Sequence, residues 1–331
     1  MTGTANDLLK ATARSFYLTL RVLPAAVRPQ IGLAYLLART TDTVADTEIV
    51  SLDQRLEALQ QLRQRILGES SAPLNFGELA RRQSSPAEQL LLEKAGDSVA
   101  ALAALTPPDR ELVRAVLTTI TSGQELDLRR FAGPAAGRVT ALATAAELDD
   151  YTYRVAGCVG EFWTKLCRAH LFPAARLDAA RLIADGIRFG QGLQLVNILR
   201  DLPADFKNGR CYLPLEKLAS AGLTPENLLR PENAERFLPL YRAHLDLADG
   251  HLAAGWRYVN TLPFGQFRVR LACAWPVLLG VKTLARLRGA GAEAWQRRVK
   301  VPRGEVYAMM LQTTLASPVP FLWRRLGPPG S

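Results

Sequence analysis

Two aspartates four residues apart, Asp42 and Asp46, lie in the stretch YLLARTTDTVAD (35–46). The run from Ile31 to Val44 is apolar at helical spacing and free of Gly and Pro after Gly32, which predicts a helix. On a helix, positions i and i+4 share one face with Cβ atoms roughly 5–6 Å apart, so both carboxylates point the same way. Arg39 and Tyr35 precede Asp42 on that stripe, and Leu33, Leu36, Leu37 and Val44 flank it. Two carboxylates, a guanidinium and a phenol on one face of an apolar helix are costly to bury without partners. Taken alone, such a pattern is more often a solvated face with an i, i+3 ion pair.

A second stretch, QGLQLVNILRDLPADFKNGRCY (191–212), repeats the arrangement. Gln194, Asn197, Asp201 and Asp205 fall on one helical stripe, with Leu193, Leu195, Val196, Ile198 and Leu199 around it. Pro203 marks the end of this helix or a kink in it. Each pair has an Arg near its first Asp, Arg39 and Arg200. Two such helices predict two carboxylate clusters facing across a cavity. Carboxylates so placed attract Mg²⁺, a hard cation that shares its shell with substrate phosphates. Nearby Arg and Lys suit diphosphate oxygens, and an apolar wall suits a hydrocarbon tail.

The residues resemble those of the squalene/phytoene synthases, the head-to-head trans-prenyltransferases. The likeness covers most of the chain: ARSFYLTLRVLP (13–24), YLLARTTDTVAD (35–46), GQELDL (123–128), YTYRVAGCVG (151–160) and QLVNILRDLPADFKNGRCYLP (194–214). It implies an all-α isoprenoid synthase fold, a single domain over 1–331 with a central apolar cavity and a tail from about 315. It also implies that Arg14 and Ser15 contact diphosphate or a nicotinamide cofactor. Substrate contacts fall to Tyr35, Arg39, Gln194, Asn197, Arg200, Arg210 and Tyr212. Mg²⁺, or Mn²⁺ in its place, falls to Asp42, Asp46, Asn197, Asp201 and Asp205. Catalytic roles fall to Tyr35, Arg39, Tyr153 and Arg200, with Tyr35 or the released diphosphate as the base.

The chain departs from the family pattern in three places. Relatives usually read Tyr-Cys-X-Tyr before Val-Ala-Gly, where this chain has Thr152 and Arg154; Tyr151 and Tyr153 remain. Ala45 stands where the first motif often has an extra acid. Pro302 stands where the squalene synthase branch has an Arg, within RRVKVPRGEVYAMM (297–310). Otherwise LACAWPVLLGVKTLARL (271–287) and the segment after it look like that branch, and imply NADPH contacts at Lys300 and Arg303. The alternative for this segment is a basic surface loop.

The expected reaction joins two farnesyl diphosphates to presqualene diphosphate and then reduces it to squalene, as in sterol and hopanoid biosynthesis. Rival readings are a phytoene or dehydrosqualene synthase, an enzyme that stops at presqualene diphosphate or hydroxysqualene, and a non-catalytic scaffold. The intact acid pairs argue against the scaffold.

Composition agrees with a globular chain: 331 residues, 48% hydrophobic and 22% charged. The net charge of +10 suits phosphates or anionic lipid. No aromatic-interleaved basic patch or zinc spacing suggests nucleic acid. Cys158, Cys167, Cys211 and Cys273 are scattered, which fits buried reduced thiols. The N-terminus lacks a signal-peptide pattern, and no segment reaches the 18 or so apolar residues of a membrane span. A cytoplasmic enzyme without a membrane anchor is therefore expected. PVPFLWRRL (318–326) mixes aromatic, aliphatic and basic residues, the pattern of a peripheral contact with the inner membrane face or of a packed tail.

Helices are expected near 5–20, 27–48, 51–68, 87–105, 108–131, 143–170, 178–202, 232–259, 265–287 and 303–314. Strand alternation is nearly absent. Ala156, Gly157 and Gly160 put small residues on one face of the 151–170 helix, which allows close helix packing, a path for a prenyl chain, or both.

Overall fold

The computed structural model describes residues 3–13, 16–132 and 138–327. The fold is all-α. Among the described residues, strand pairing is confined to Thr140–Ala141 and Arg210–Cys211, which run parallel. The chain forms two compact units, one from residues 1–132 and 162–174, the other from 133–161 and 175–331.

The first unit is built on the helix Arg28–Asp46. Pro29 sits in its first turn, where a missing N–H leaves no bond unmade. Ile31, Leu33, Leu36, Leu37 and Val44 are buried, against the helices Leu52–Leu67, Pro86–Glu93, Ala95–Ala100 and Pro107–Arg130. Ser51 and Gln54 form a capping box at the start of Leu52–Leu67, and Gly68 closes its end at φ 79, a left-handed position. Buried Asp109 accepts from Gln30 Nε2 at 3.1 Å and lies 2.7 Å from His170 Nε2. Burial alone would raise its pKa, but the bonds from His170, Gln30 and Thr106 outweigh it and hold the carboxyl below its usual range. The helix expected over 87–105 is divided at Lys94, whose φ of −96 and ψ of 9 leave the helical region.

The second unit packs Ala179–Lys207 along Ala234–Thr261 and Phe267–Ala290. Its core includes Phe237, Tyr241, Trp256, Tyr258 and Trp295, with the Phe237 and Trp295 rings edge-on at 4.8 Å. Asp178 caps Ala179–Lys207 by accepting from the Arg181 N–H. This helix runs through Pro203 to Lys207, past the end expected at 202. A proline removes the hydrogen bond to the carbonyl four residues back, here Leu199. That carbonyl instead accepts from the Tyr241 hydroxyl at 3.1 Å.

The helix expected over 143–170 is three pieces: Ala145–Thr152, a π-helical turn Tyr153–Gly157, and Cys158–Leu171. The π turn lies against Ala179–Lys207 at backbone contact distance. A Cβ on Gly160 would fall 1.9 Å from the Gly186 carbonyl oxygen, and one on Gly190 would fall 2.2 Å from that of Ala156. The small residues here thus serve close packing.

In the tail, Trp323 is buried in the short helix Pro320–Arg324. Its ring stacks on Trp256 at 5.5 Å, its Nε1 donates to Asn260 Oδ1 at 2.9 Å, and the Arg270 guanidinium lies 4.6 Å from its ring centre. Phe321 and Leu322 remain exposed. Among the described residues, no helix is long and apolar enough to cross a membrane.

Candidate active site

In the first unit, Tyr35, Arg39, Asp42 and Asp46 keep open surface while Leu36, Leu37, Thr40, Thr41, Val44 and Ala45 are buried. The Tyr35 hydroxyl donates to the Thr12 carbonyl at 3.3 Å. Arg39 bridges two carboxylates, Asp42 on its own helix and Glu88 on Pro86–Glu93. Burial works against the Arg39 charge, yet Asp42 and Glu88 outweigh it and raise the guanidinium pKa. Asp42 has the opposite balance: burial raises its carboxyl above the usual range, Arg39 offsets only part of this, and Glu88 adds to it. A nearby cation would favour the charged form of this carboxyl.

In the second unit, Gln194, Asn197, Asp201 and Asp205 lie on the accessible side of Ala179–Lys207, while Gln191, Leu195, Ile198, Leu199 and Leu202 are buried. Asn197 Nδ2 donates to Gln194 Oε1 at 3.4 Å. Arg200 grips Asp201 through two nitrogens, its Nε donating to Oδ1 at 3.0 Å and its Nη2 to Oδ2. A second guanidinium reaches the same carboxylate: Arg298 Nε lies 2.7 Å from Asp201 Oδ1.

Other expected site residues are placed as follows. Tyr153 opens the π turn and donates through its hydroxyl to Glu161 Oε2 at 3.1 Å; burial and Glu161 raise its pKa. Such π turns are frequent at functional sites. Arg210 sits in the two-residue strand beside Thr140. Tyr212 is buried and stacks on Tyr151 at 4.7 Å, a packing position. Lys300 is exposed in the segment before Arg303–Ala316, and Arg303 opens that helix with Pro302 at its cap. Arg14 and Ser15 lie outside the described residues.

Sequence reasoning missed Glu88, Glu161 and Arg298. Glu88 and Arg298 meet their partners only through the packing of separate segments, whereas Glu161 meets Tyr153 eight residues back along one helical run, a spacing that could have shown the pair. The four cysteines are buried and none forms a disulfide; burial pushes the Cys158 and Cys211 thiols up to about 12. A cavity of about 400 Å³ in the second unit, walled by Leu148, Leu195, Leu247, His244 and His251, is lined by none of the expected site residues.

Among the described residues, no three His, Cys, Asp or Glu side chains gather as a metal cage. Separate carboxylate pairs suit Mg²⁺, which keeps several waters and is commonly held by one or two carboxylates plus substrate phosphates. They do not suit Zn²⁺, which takes closed sets of Cys and His. Arg39 on Asp42 and Arg200 with Arg298 on Asp201 already place positive charge at both pairs.

A model of the squalene/phytoene synthase family matches residues 9–305. A phytoene synthase from Pseudescherichia vulneris is 30% identical over 193 residues, 53% of this chain and 56% of its own. A 15-cis-phytoene synthase from Enterobacter agglomerans is 24% identical over 307 residues, covering 92% of this chain and 91% of its own. The chain spans about half the length of the curated relatives it matches first. A solved structure of TcSQS with the ligand BPH1237 matches with a TM-score of 0.77 at 21% identity, over 98% of this chain and 89% of that one. At that identity the likeness speaks for the fold.

Proposed function

Because the chain belongs to the squalene/phytoene synthase family, we propose that it joins two farnesyl diphosphates head to head and reduces the product to squalene. The family's members are prenyltransferase-type enzymes acting on prenyl diphosphates. The observation that supports condensation best is the pair of open carboxylate stripes, Asp42–Asp46 and Gln194–Asn197–Asp201–Asp205. Each lies on a helix that buries an apolar face, Leu36, Leu37 and Val44 in one and Leu195, Ile198, Leu199 and Leu202 in the other. Mg²⁺ held by Asp42, Asp46, Asn197, Asp201 and Asp205 would supply Lewis-acid stabilisation of the departing diphosphate.

The chain's own residues do the rest. Arg39, Arg200 and Arg210 offer guanidinium forks to diphosphate oxygens, where charge-assisted bonds strengthen as the leaving group gains charge. Keeping water from an allylic cation would require an apolar surround for the substrate tails. The Tyr153 hydroxyl, already donating to Glu161, offers a place to hold or pass on a proton at its oxygen.

The reductive step rests on the basic segment 297–303. NADPH bound by Lys300 and Arg303 would supply hydride. The Arg298–Asp201 ion pair supports this reading, since it ties the segment to the second acid stripe. Pro302 has no donor, and with Arg297 on Glu293 and Arg298 on Asp201, Lys300 and Arg303 are left for the cofactor's phosphates. A second reading, non-reductive synthesis of phytoene or dehydrosqualene, is favoured by the names of the curated relatives.

The two are separated by supplying farnesyl or geranylgeranyl diphosphate with and without NADPH and identifying the hydrocarbon by mass spectrometry. The proposal predicts squalene only with NADPH, and an NADPH KM raised about tenfold by Lys300→Ala, the loss of one charged contact. The same hydrocarbon with and without NADPH would establish the second reading.

A further inference from the structure

Between the short turn Gly291–Trp295 and the helix Arg303–Ala316, residues 296–302 have no helical or strand structure. Two adjacent arginines in this segment behave differently. Arg297 turns back to Glu293 on its own turn. Arg298 reaches out of the segment and sets its Nε 2.7 Å from Asp201 Oδ1, the oxygen that Arg200 Nε also approaches at 3.0 Å. Asp201 is therefore one carboxylate between two guanidiniums. Its side chain is 25% exposed and that of Arg298 is 51% exposed. The cluster of Arg200, Arg298 and Asp201 carries one positive charge in excess, which an anion would neutralise.

We propose that Arg298 is a displaceable counter-ion for Asp201 and a positioning residue for diphosphate. It occupies Oδ1 until a divalent cation takes that oxygen, and its guanidinium then turns to the oxygens of the diphosphate brought with the cation. This rests on the reading of Asp201 as a metal ligand. A guanidinium and a directly bound cation compete for the same lone pairs and repel each other, so one must leave. Arg200, fixed by its neighbouring backbone position and gripping both oxygens, is the poorer candidate to move. Arg298 holds one oxygen only, through one nitrogen, from a segment without helical bonds to restrain it. Its planar fork then matches a diphosphate better than a lysine would.

The test is a titration of the full chain with Mn²⁺, free ion read by electron paramagnetic resonance, first alone and then with inorganic diphosphate. Arg298→Ala should bind Mn²⁺ alone about two- to fivefold tighter than the unaltered protein, as expected from removing a half-exposed ion pair that competes. In the presence of Mn²⁺ it should hold diphosphate about tenfold more weakly, the loss of one charge-assisted contact. Arg298→Lys should restore part of both effects, and Arg297→Ala should match the unaltered protein. A merely structural Arg298 would lower the melting temperature without tightening Mn²⁺. If the unaltered protein binds Mn²⁺, Asp201→Asn loses it, and Arg298→Ala behaves as Arg297→Ala, the proposal alone is overturned. If the unaltered protein binds no Mn²⁺ even with diphosphate, the metal-ligand reading of Asp201 falls with it.

Discussion

His244 is buried on Ala234–Thr261, and its Nδ1 is 2.9 Å from the Leu240 carbonyl. Burial lowers its pKa below 6.5, with Lys217 adding to the effect. His251, two turns on along the same face of that helix, is lowered by burial and by Arg188. A histidine depressed in the folded state binds its proton more readily when the chain unfolds. Its contribution to stability is therefore complete above the unfolded pKa and is lost as pH falls through 6.5 toward the folded value. Thermal melts from about pH 7.5 to 5.5 should show a falling melting temperature, with a shallower fall in His244→Gln. Equal slopes for the two proteins would contradict this assignment. At the residue scale, the acid stripes were legible in the sequence because apolar periodicity fixes which positions of a helix are buried, leaving Asp42, Asp46, Asp201 and Asp205 on the open side. Glu88 and Arg298 were not legible, since their meeting with Arg39 and Asp201 depends on how separate segments pack.

At the scale of elements, Pro203 shows how a distant side chain decides where a helix ends. A proline is read from sequence as a stop, because it leaves the Leu199 carbonyl without its helical donor. The Tyr241 hydroxyl supplies that donor from the neighbouring helix, and the helix continues to carry Asp205. Tyr241→Phe should cost about 1–3 kcal/mol in urea unfolding, the range for a buried acceptor left unpaired. In a Pro203→Ala background, the backbone N–H returns to Leu199 and the same substitution should cost clearly less. An unchanged cost in that background would show that the hydroxyl does not stand in for the missing N–H. The π turn Tyr153–Gly157 was likewise beyond sequence reading. The chain shows small residues there, but the widened turn becomes visible only once Gly160 and Gly190 meet the carbonyls of Gly186 and Ala156.

At the scale of the molecule, composition and helical periodicity were enough to predict an all-α chain, and the two-residue strands fall below the length at which alternation can be seen. The excess of positive charge, +10, fits the proposed binding of anionic diphosphates. The proposed condensation depends on a divalent cation at the two aspartate pairs. Its most direct test is to incubate the purified chain with farnesyl diphosphate and Mg²⁺ and follow diphosphate release together with C30 products by mass spectrometry. Parallel reactions would contain EDTA, or use Asp42→Asn and Asp201→Asn. C30 product should disappear with EDTA and fall at least about 100-fold in either variant, as expected when charge stabilisation of a leaving group is removed. C30 product that survives EDTA or persists undiminished in both variants would contradict it.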